Sequence, residues 1–259
     1  MSAQLKSTNQ GQTLILTLSD PTLRNAMGPA MYAAGIEALN VAETNPDIRS
    51  VVITGEGAHF CAGSDVHRLK ASREQDAGSH VQEIESLHNW IEAIRTFPKP
   101  VIAAVEGAAV GSGFSLALVC DLIVASNNSV FSMAYSNLGL SPDAGASWSL
   151  TQALPRQLAA ELLLLGDRIS AQRLHELGVV NCVVESGHSL PQALDLAERI
   201  NAHAPNVMNS IKELVNDASS NSLTERLAQE RNQFVKNFHH MNAGIGIQAF
   251  LNKEVPHYK

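Results

Sequence analysis

Short runs of almost uniformly apolar residues alternate with longer amphipathic stretches over the first half of the chain. Turn-forming residues bound each short run, which is typical of strands that are buried on both faces of a sheet. The stretches between them carry apolar residues at helical spacing, and Pro29 stands where the first of them begins. The pattern predicts strands at Thr13–Ser19, 50–54, Val101–Val105 and 121–125, and helices at 31–42 and 81–97.

The second half of the chain has a different pattern, because helical spacing dominates from Pro155 onward. Only residues 179–184 interrupt it with another short apolar run, and residues 205–250 carry no strand signal. Strands that alternate with helices favour the α/β class, with helices covering both faces of the sheet. We therefore expect an α/β core over residues 1–199 and a helical C-terminal region over residues 200–259.

Composition narrows the classes of protein that fit the chain. The 259 residues are 45% hydrophobic, which is enough for a substantial core, and the formal net charge is −7. A negatively charged chain without a basic stripe disfavours a nucleic-acid partner. No apolar run approaches the roughly 18 to 20 residues that span a bilayer, and the start of the chain lacks the apolar stretch of a signal peptide. We expect no membrane partner and a cytoplasmic location.

The cysteines and histidines indicate neither disulfides nor a metal site. Cys61, Cys120 and Cys182 are far apart, lack C-x-x-C spacing and are odd in number, which predicts buried, reduced thiols. The ten histidines include the adjacent pair His239 and His240, but no H-E-x-x-H motif or Cys/His ligand spacing occurs. We therefore assign no metal ligand.

Two turns rich in small residues are the first candidates for a functional site. One contains Gly111, Ser112 and Gly113 and enters an apolar run at 114–119, so a buried helix is predicted to begin at the glycines. The first amides of such a helix have no partner within it and suit a phosphate or a developing oxyanion. The second turn, at 59–65, follows a predicted strand. Each turn also has a plain structural interpretation, as a tight strand-to-helix connection or as a helix start capped by Ser64 or Asp65.

Asp143 stands immediately before a predicted helix and has two interpretations of its own. An aspartate in this place usually caps the helix, but in an apolar cleft it can act as a general base. Other catalytic motifs are missing from the sequence. The residues two before and two after Ser112 are Val110 and Phe114, so the nucleophile elbow of serine hydrolases is absent. Neither a P-loop nor a complete G-x-G-x-x-G motif occurs.

Taken in order, five segments of the chain resemble the crotonase, or enoyl-CoA hydratase/isomerase, family. They are Arg24-Asn-Ala-Met, His59-Phe-Cys-Ala-Gly-Ser-Asp, Lys99-Pro-Val-Ile-Ala-Ala-Val-Glu-Gly, Gly111-Ser-Gly and Cys120-Asp-Leu-Ile-Val-Ala. The resemblance spans nearly the whole chain. It implies a spiral of repeated ββα units, a helical C-terminal region that serves oligomerisation and completes the CoA site, and assembly into homotrimers or homohexamers.

The resemblance also implies a binding site for an acyl-CoA thioester. An oxyanion hole in this family is formed by two backbone N–H groups, and the matching positions are Ser64 and Ser112. The family's terminal helix, whose aromatic residue and lysine reach CoA, often that of a neighbouring subunit, resembles the segment with Phe250 and Lys253. The positions that match the substrate and CoA site are Arg24, Ala26, Ala62, Gly63, Asp65, Val66, Gly111, Phe250 and Lys253.

Departures from the family pattern bear on the type of reaction. The two glutamates of the hydratases align with Ser115 and Tyr135, and neither of these can act as a carboxylate base. Asp143 instead matches the single acid of several enoyl-CoA isomerases and of the ring-epoxide isomerase of phenylacetyl-CoA degradation. We therefore expect a double-bond or ring isomerase that uses Asp143, with Tyr135 as an auxiliary group and no cofactor beyond the CoA of the substrate.

Three alternatives stay open from the sequence. The chain could be an ordinary enoyl-CoA hydratase, in which Tyr135 or another acid places the water. It could hydrolyse or ring-open a CoA ester or a β-diketone with the same oxyanion hole. It could also be a non-catalytic acyl-CoA binder, because both hydratase glutamates are absent.

Overall fold

A six-stranded sheet lies at the centre of the computed structural model, which describes residues 3–74, 76–218 and 221–259. Its strand order is β1-β2-β3-β4-β6-β9, and a second sheet has the order β5-β7-β8. The strands are β1 (Gln4–Gln10), β2 (Thr13–Ser19), β3 (Ser50–Gly55), β4 (Val101–Val105), β5 (Ala108–Val110), β6 (Leu122–Ser126), β7 (Val130–Ser132), β8 (Ile169–Ser170) and β9 (Cys182–Val184).

Helices connect these strands and then dominate the second half of the chain. They are α1 (Pro29–Thr44), α2 (Val66–Ser72), α3 (Ala77–Thr96), α4 (Ser112–Val119), α5 (Ala146–Ala153), α6 (Arg156–Leu165), α7 (Ala171–Glu176), α8 (Ser189–Asn201), α9 (Pro205–Asn216), α10 (Leu223–Phe238) and α11 (Met241–Asn252). The mixture of strands and helices is the α/β class that the sequence predicts.

The central sheet is parallel from β2 to β9, and only the edge pair is antiparallel. Leu14 pairs with Val51 and Val51 with Val101, so the predicted apolar strands lie side by side in register. Strand β1 pairs with β2 through seven residues, although most of its side chains are exposed. A polar strand is tolerated there because one of its edges faces solvent.

Helices cover both faces of the sheet, which explains why its strands are uniformly apolar. On one face α1 packs against α3, where the Tyr32 and Trp90 rings lie 6.0 Å apart. A Cβ atom on Gly35 would stand 2.1 Å from Nε1 of Trp90, so only glycine fits beneath that indole. On the other face Ala193 and Ala197 of α8 pack on residues of β3, β4 and β6.

Polar contacts tie the C-terminal helices to the sheet. Lys212 of α9 is buried and forms a 2.7 Å ion pair with Asp121 at the start of β6. The same ammonium group donates to the carbonyls of Ile94 and Lys99 at 3.2 Å. Several apolar side chains of α10 and α11 are exposed in the single chain, including Leu223, Phe234, Phe238 and Phe250. The division of the chain at residue 200 stays a prediction.

Several details of the sequence interpretation need correction. The strand predicted at 121–125 begins one residue later, at Leu122, and the Asp121 carboxylate before it accepts the Val101 N–H and faces Lys212. Cys182 is partly exposed in β9, whereas Cys61 and Cys120 are buried as expected.

Within the described part of the chain, no helix is long and apolar enough to cross a membrane.

Candidate active site

The glycine-rich turn leads from β5 into α4, a helix whose residues are almost all buried. Gly111 has φ 55° and stands as the N-cap of α4, so the chain turns sharply in a conformation that favours glycine. Its N–H donates to the Ser132 carbonyl of β7 at 2.8 Å, which fixes the turn to the second sheet. Ser112 follows as the first helical residue, only 2% exposed. The predicted buried helix that begins at the glycines is therefore present.

Residues 61–65 of the second turn are held against β5 by backbone hydrogen bonds. Cys61 donates to the Ala108 carbonyl at 3.0 Å and accepts from the Val110 N–H at 2.9 Å. The Gly63 N–H donates to the Cys61 sulfur at 3.3 Å, and Gly63 has φ 88°. Complete burial raises the pKa of the Cys61 thiol to about 12, so the sulfur stays protonated and serves as a packing group.

The two turns face each other. The Ser64 and Ser112 hydroxyl oxygens lie 3.5 Å apart. A Cβ atom on Gly63 would stand 2.7 Å from the Val110 carbonyl oxygen and 3.6 Å from the Ser112 nitrogen. Within residues 3–74, 76–218 and 221–259, the Ser64 and Ser112 amides find no hydrogen-bond acceptor. Two N–H groups without a protein acceptor, on turns that face each other, are available to a ligand.

Six of the predicted substrate and CoA positions lie in or beside the second turn. The Arg24 carbonyl accepts the Ala62 N–H at 3.0 Å, and Ala26 lies buried two residues further on. Asp65 is the N-cap of α2 and accepts the His67 N–H at 2.9 Å, so the capping interpretation holds for that residue. Val66, the first residue of α2, is half exposed. The structure thus places Arg24, Ala26, Ala62, Gly63, Asp65 and Val66 in one region.

Asp143 does not cap the helix that follows it. Gly145 is the N-cap of α5, and only the backbone carbonyl of Asp143 takes part, accepting the Ala146 N–H at 3.0 Å. The carboxylate accepts the Tyr135 hydroxyl at 2.6 Å instead. The capping interpretation of Asp143 is therefore wrong, because left-handed backbone at Ala144 and Gly145 turns the carboxylate away from the helix amides.

Tyr135 joins Asp143 to the glycine-rich turn. A Cβ atom on Gly111 would stand 3.9 Å from the Tyr135 hydroxyl oxygen, so the phenol lies over that turn. Burial raises the pKa of Tyr135 well above its usual range, and the Asp143 charge and hydrogen bond raise it further. The phenol therefore stays protonated and donates. Ser115 is fully buried below it, with its hydroxyl 3.4 Å from the Gly111 carbonyl.

Phe250 and Lys253 lie at the end of α11. The Phe250 side chain is 84% exposed, and Lys253 ends the helix with φ 59°. In the described chain, no hydrogen bond or ion pair joins either residue to the two turns or to Asp143.

No three His, Cys, Asp or Glu side chains among the described residues are grouped to hold a metal ion.

His88 also lies at this site, although no motif in the sequence points to it. Its Nε2 atom accepts the Ala144 N–H at 3.2 Å, across a separation of 56 residues. An Arg68 and Glu83 ion pair of 2.5 Å joins α2 to α3, and the Arg68 guanidinium lies beside Gly28 at the start of α1. No local motif reveals such contacts, because they depend on how α3 packs on distant segments.

Comparison with known proteins identifies the class to which this fold and site belong. The sequence model of the family described as enoyl-CoA hydratase/isomerase matches residues 8–259. The chain belongs to that family, and it is an enzyme with the crotonase fold. The family resemblance inferred from the five segments is thereby confirmed.

Individual relatives carry both hydratase and isomerase names. The 2,3-dehydroadipyl-CoA hydratase of Escherichia coli K12 is 34% identical, with 99% of each chain covered. The 1,2-epoxyphenylacetyl-CoA isomerase of the same organism is 33% identical over 95% of this chain and 94% of that protein. The crystal structure of an enoyl-CoA hydratase from Polaromonas sp. JS666 has a TM-score of 0.98 and 63% identity, covering 99% of this chain and 100% of that one.

Proposed function

We propose that this enzyme isomerises an acyl-CoA thioester by moving a double bond or rearranging a strained ring, with Asp143 as the base. The observation that carries the proposal is the 2.6 Å hydrogen bond that directs the Asp143 carboxylate toward the turn with the free Ser112 amide. Neither Ser115 nor Tyr135 supplies a carboxylate at the positions that match the hydratase glutamates. One base is sufficient for a proton shift.

The two free amides suit the thioester oxygen. The Ser64 and Ser112 N–H groups would hold that oxygen, and the positive end of the α4 dipole favours the negative charge that it gains. Loss of one such donor typically costs ~2.7 to 4 kcal/mol of transition-state stabilisation, so the pair supplies a large share of catalysis. Because backbone atoms donate, serine is as suitable at both positions as a smaller residue.

Asp143 moves a single proton from one carbon of the substrate to another. With a β,γ-unsaturated acyl-CoA, the carboxylate takes a proton from the α-carbon, and the C–H electrons pass to the thioester oxygen as the enolate forms. The same proton then returns to the γ-carbon as the enolate collapses, which leaves the double bond between the α- and β-carbons. Oδ1 of Asp143 is occupied by the Tyr135 hydroxyl, so Oδ2 serves as the base. No metal, redox cofactor or added water takes part.

The CoA moiety would follow the residues around the second turn. Arg24, Ala26 and the start of α2 at Asp65 and Val66 would line its adenine and phosphate region. Among the described residues no hydrogen bond or ion pair joins Phe250 or Lys253 to this region, so we propose that a neighbouring subunit of a homotrimer or homohexamer supplies them. The exposed apolar side chains of α10 and α11 support such an assembly. We place the enzyme in the cytoplasm, with no nucleic-acid or membrane partner.

Hydration is the second candidate, because two of the three relatives named above are described as hydratases. In that reaction Asp143, held by Tyr135, would activate a water molecule that adds to the β-carbon of an α,β-unsaturated thioester. The two candidates share the oxyanion hole and differ in whether water enters the product.

The test incubates the purified enzyme with trans-3-hexenoyl-CoA and, separately, with crotonyl-CoA, and identifies the products by mass spectrometry. Gain of conjugated absorbance at unchanged mass supports the isomerase, and crotonyl-CoA gaining one water indicates the hydratase. Release of free CoA or of a carboxylic acid indicates hydrolysis, and tight binding without any product indicates a non-catalytic binder. Either of these last two results overturns the proposal.

Variants of the site test the roles of its residues. Asp143→Asn should abolish turnover but keep CoA binding, because the amide cannot take a proton. Ser64→Ala and Ser112→Ala are the matched controls, and both should keep kcat within about threefold because their backbone amides remain. An Asp143→Asn variant with an unchanged rate would remove the base from the proposal.

A further inference from the structure

One face of α3 lies along the segment that carries Asp143. Nε2 of His88 accepts the Ala144 N–H at 3.2 Å. One turn further, Cγ2 of Ile91 lies 4.0 Å from where a Cβ atom on Gly145 would stand. The Arg95 guanidinium, another turn on, lies 4.2 Å from the centre of the Trp148 ring. Residues at i, i+3 and i+7 of a helix share a face, so α3 contacts this segment at three successive points.

Ala144 is the residue of this segment whose backbone conformation most needs a stabilising contact. Its φ is 52°, in the left-handed region that residues with a Cβ atom disfavour. It is also only 1% exposed. A buried N–H group needs an acceptor, and His88 supplies it here. Since a backbone N–H can only donate, Nε2 is the acceptor in this contact.

We propose that His88 is a positioning residue, which fixes the Asp143 carboxylate by holding the amide of the peptide bond that follows it. Tyr135 holds the carboxylate itself through Oδ1, and His88 holds the backbone on the other side, so the free Oδ2 is fixed from two directions. The inference rests on the proposed role of Asp143 as the base. It assigns His88 no contact with the substrate and no proton transfer.

The first test compares His88→Ala with His88→Gln. Displacement of a catalytic group by about 1 Å can cost about 100-fold in rate, so His88→Ala should lower kcat between 10- and 100-fold and leave KM within about threefold. Oxygen Oε1 of glutamine can reach the place of Nε2, so His88→Gln should recover kcat to within about fivefold of the wild type. His88→Asn places its oxygen nearer the helix and should stay as impaired as His88→Ala.

Folding should not obscure the result, because His88 is an exposed residue of α3 whose truncation leaves no core cavity. The neighbouring exposed Asn89 gives the matched control, and Asn89→Ala should keep wild-type kcat and melting temperature. If His88→Ala fails to fold, the contrast between His88→Gln and His88→Asn carries the test. Equal rates in those two variants would overturn the inference, as would a loss confined to KM.

Hydrogen exchange tests the geometry independently of turnover. By mass spectrometry, a peptide that contains Ala144 should lose protection in His88→Ala and keep it in His88→Gln; unchanged protection in His88→Ala would overturn the inference. Asp143→Asn, assayed in parallel, separates the two proposals. Full activity in Asp143→Asn removes the base, whereas an inactive Asp143→Asn beside a fully active His88→Ala leaves the base in place and removes only the positioning role.

Discussion

Gly113 sets the distance between the two turns of the candidate oxyanion hole, so Gly113→Ala tests that site most directly. A Cβ atom at position 113 would stand 2.5 Å from the carbonyl oxygen of Cys61 and 2.9 Å from its sulfur. The shortest of these contacts is with a backbone oxygen, and backbone cannot rotate away as a side chain can. Alanine at this position must therefore push the start of α4 away from the 61–65 turn.

The size of that displacement follows from the contact distance. To bring the new methyl group from 2.5 Å to an ordinary contact of 3.4 Å, the two turns must separate by about 0.9 Å. A shift of this size moves one of the two amides out of hydrogen-bond reach of a shared oxygen. Removal of one donor costs ~2.7 to 4 kcal/mol, so kcat should fall between about 100- and 1,000-fold. Overpacking of the buried contact should also cost about 1 to 3 kcal/mol of folding stability.

The assay measures kcat, KM and the melting temperature of Gly113→Ala together with a control glycine. Gly244 lies exposed in helix α11, and a Cβ atom there meets nothing within 4 Å. Gly244→Ala should leave kcat unchanged and raise stability by up to about 1 kcal/mol, because alanine favours helix. A folded Gly113→Ala enzyme with kcat within threefold of the wild type would refute the assignment of the Ser64 and Ser112 amides as the oxyanion hole.

Two further perturbations probe the base and the core. Tyr135→Phe should lower kcat by about tenfold or more, because a hydrogen bond to a charged group is worth about 1.5 to 3 kcal/mol; full activity would show that Asp143 is held by other contacts. Lys212→Met should cost about 3 kcal/mol in urea denaturation at pH 8, since it leaves Asp121 without its ion-pair partner. Burial already raises the pKa of Asp121, and loss of the lysine raises it further, so the folded state binds the proton more readily than the unfolded chain. The penalty should therefore shrink as the pH falls far enough for Asp121 to take up a proton in the folded state, and a penalty independent of pH would contradict this account.

The strands and helices that could be predicted from the sequence are those whose structure is specified by their own residues and not by distant contacts. The apolar runs of β2, β3 and β4 are buried on both faces, so each carries its signal locally. The apolar helix after Gly111 was predicted for the same reason, since a helix without a polar face has to be buried. Strand β1 was missed because its side chains are polar and only its seven-residue pairing with β2 makes it a strand.

The candidate site was only partly visible in the sequence. The two turns could be located because small residues after strands mark them. The hydrogen-bond partner of the Asp143 carboxylate depends on tertiary contacts, which no local sequence pattern reveals. A left-handed Ala144 directs the carboxylate to Tyr135 instead of to the next helix, and the acceptor for that alanine's amide lies on α3. Propensity favoured a helix cap at this aspartate, and tertiary packing overrode it.

The burial of Cys61 makes the thiol a natural probe of the two turns. The Cys61 sulfur lies against Gly113, where the two turns meet. Its raised pKa keeps the thiol protonated, and therefore unreactive toward alkylating reagents, while the turns stay closed. Cys182 is partly exposed and is available to such reagents in the folded chain. The rate at which Cys61 is labelled therefore measures how often the turns separate. A ligand that bridges the two amides would slow this labelling, so that occupancy could be followed without a turnover assay.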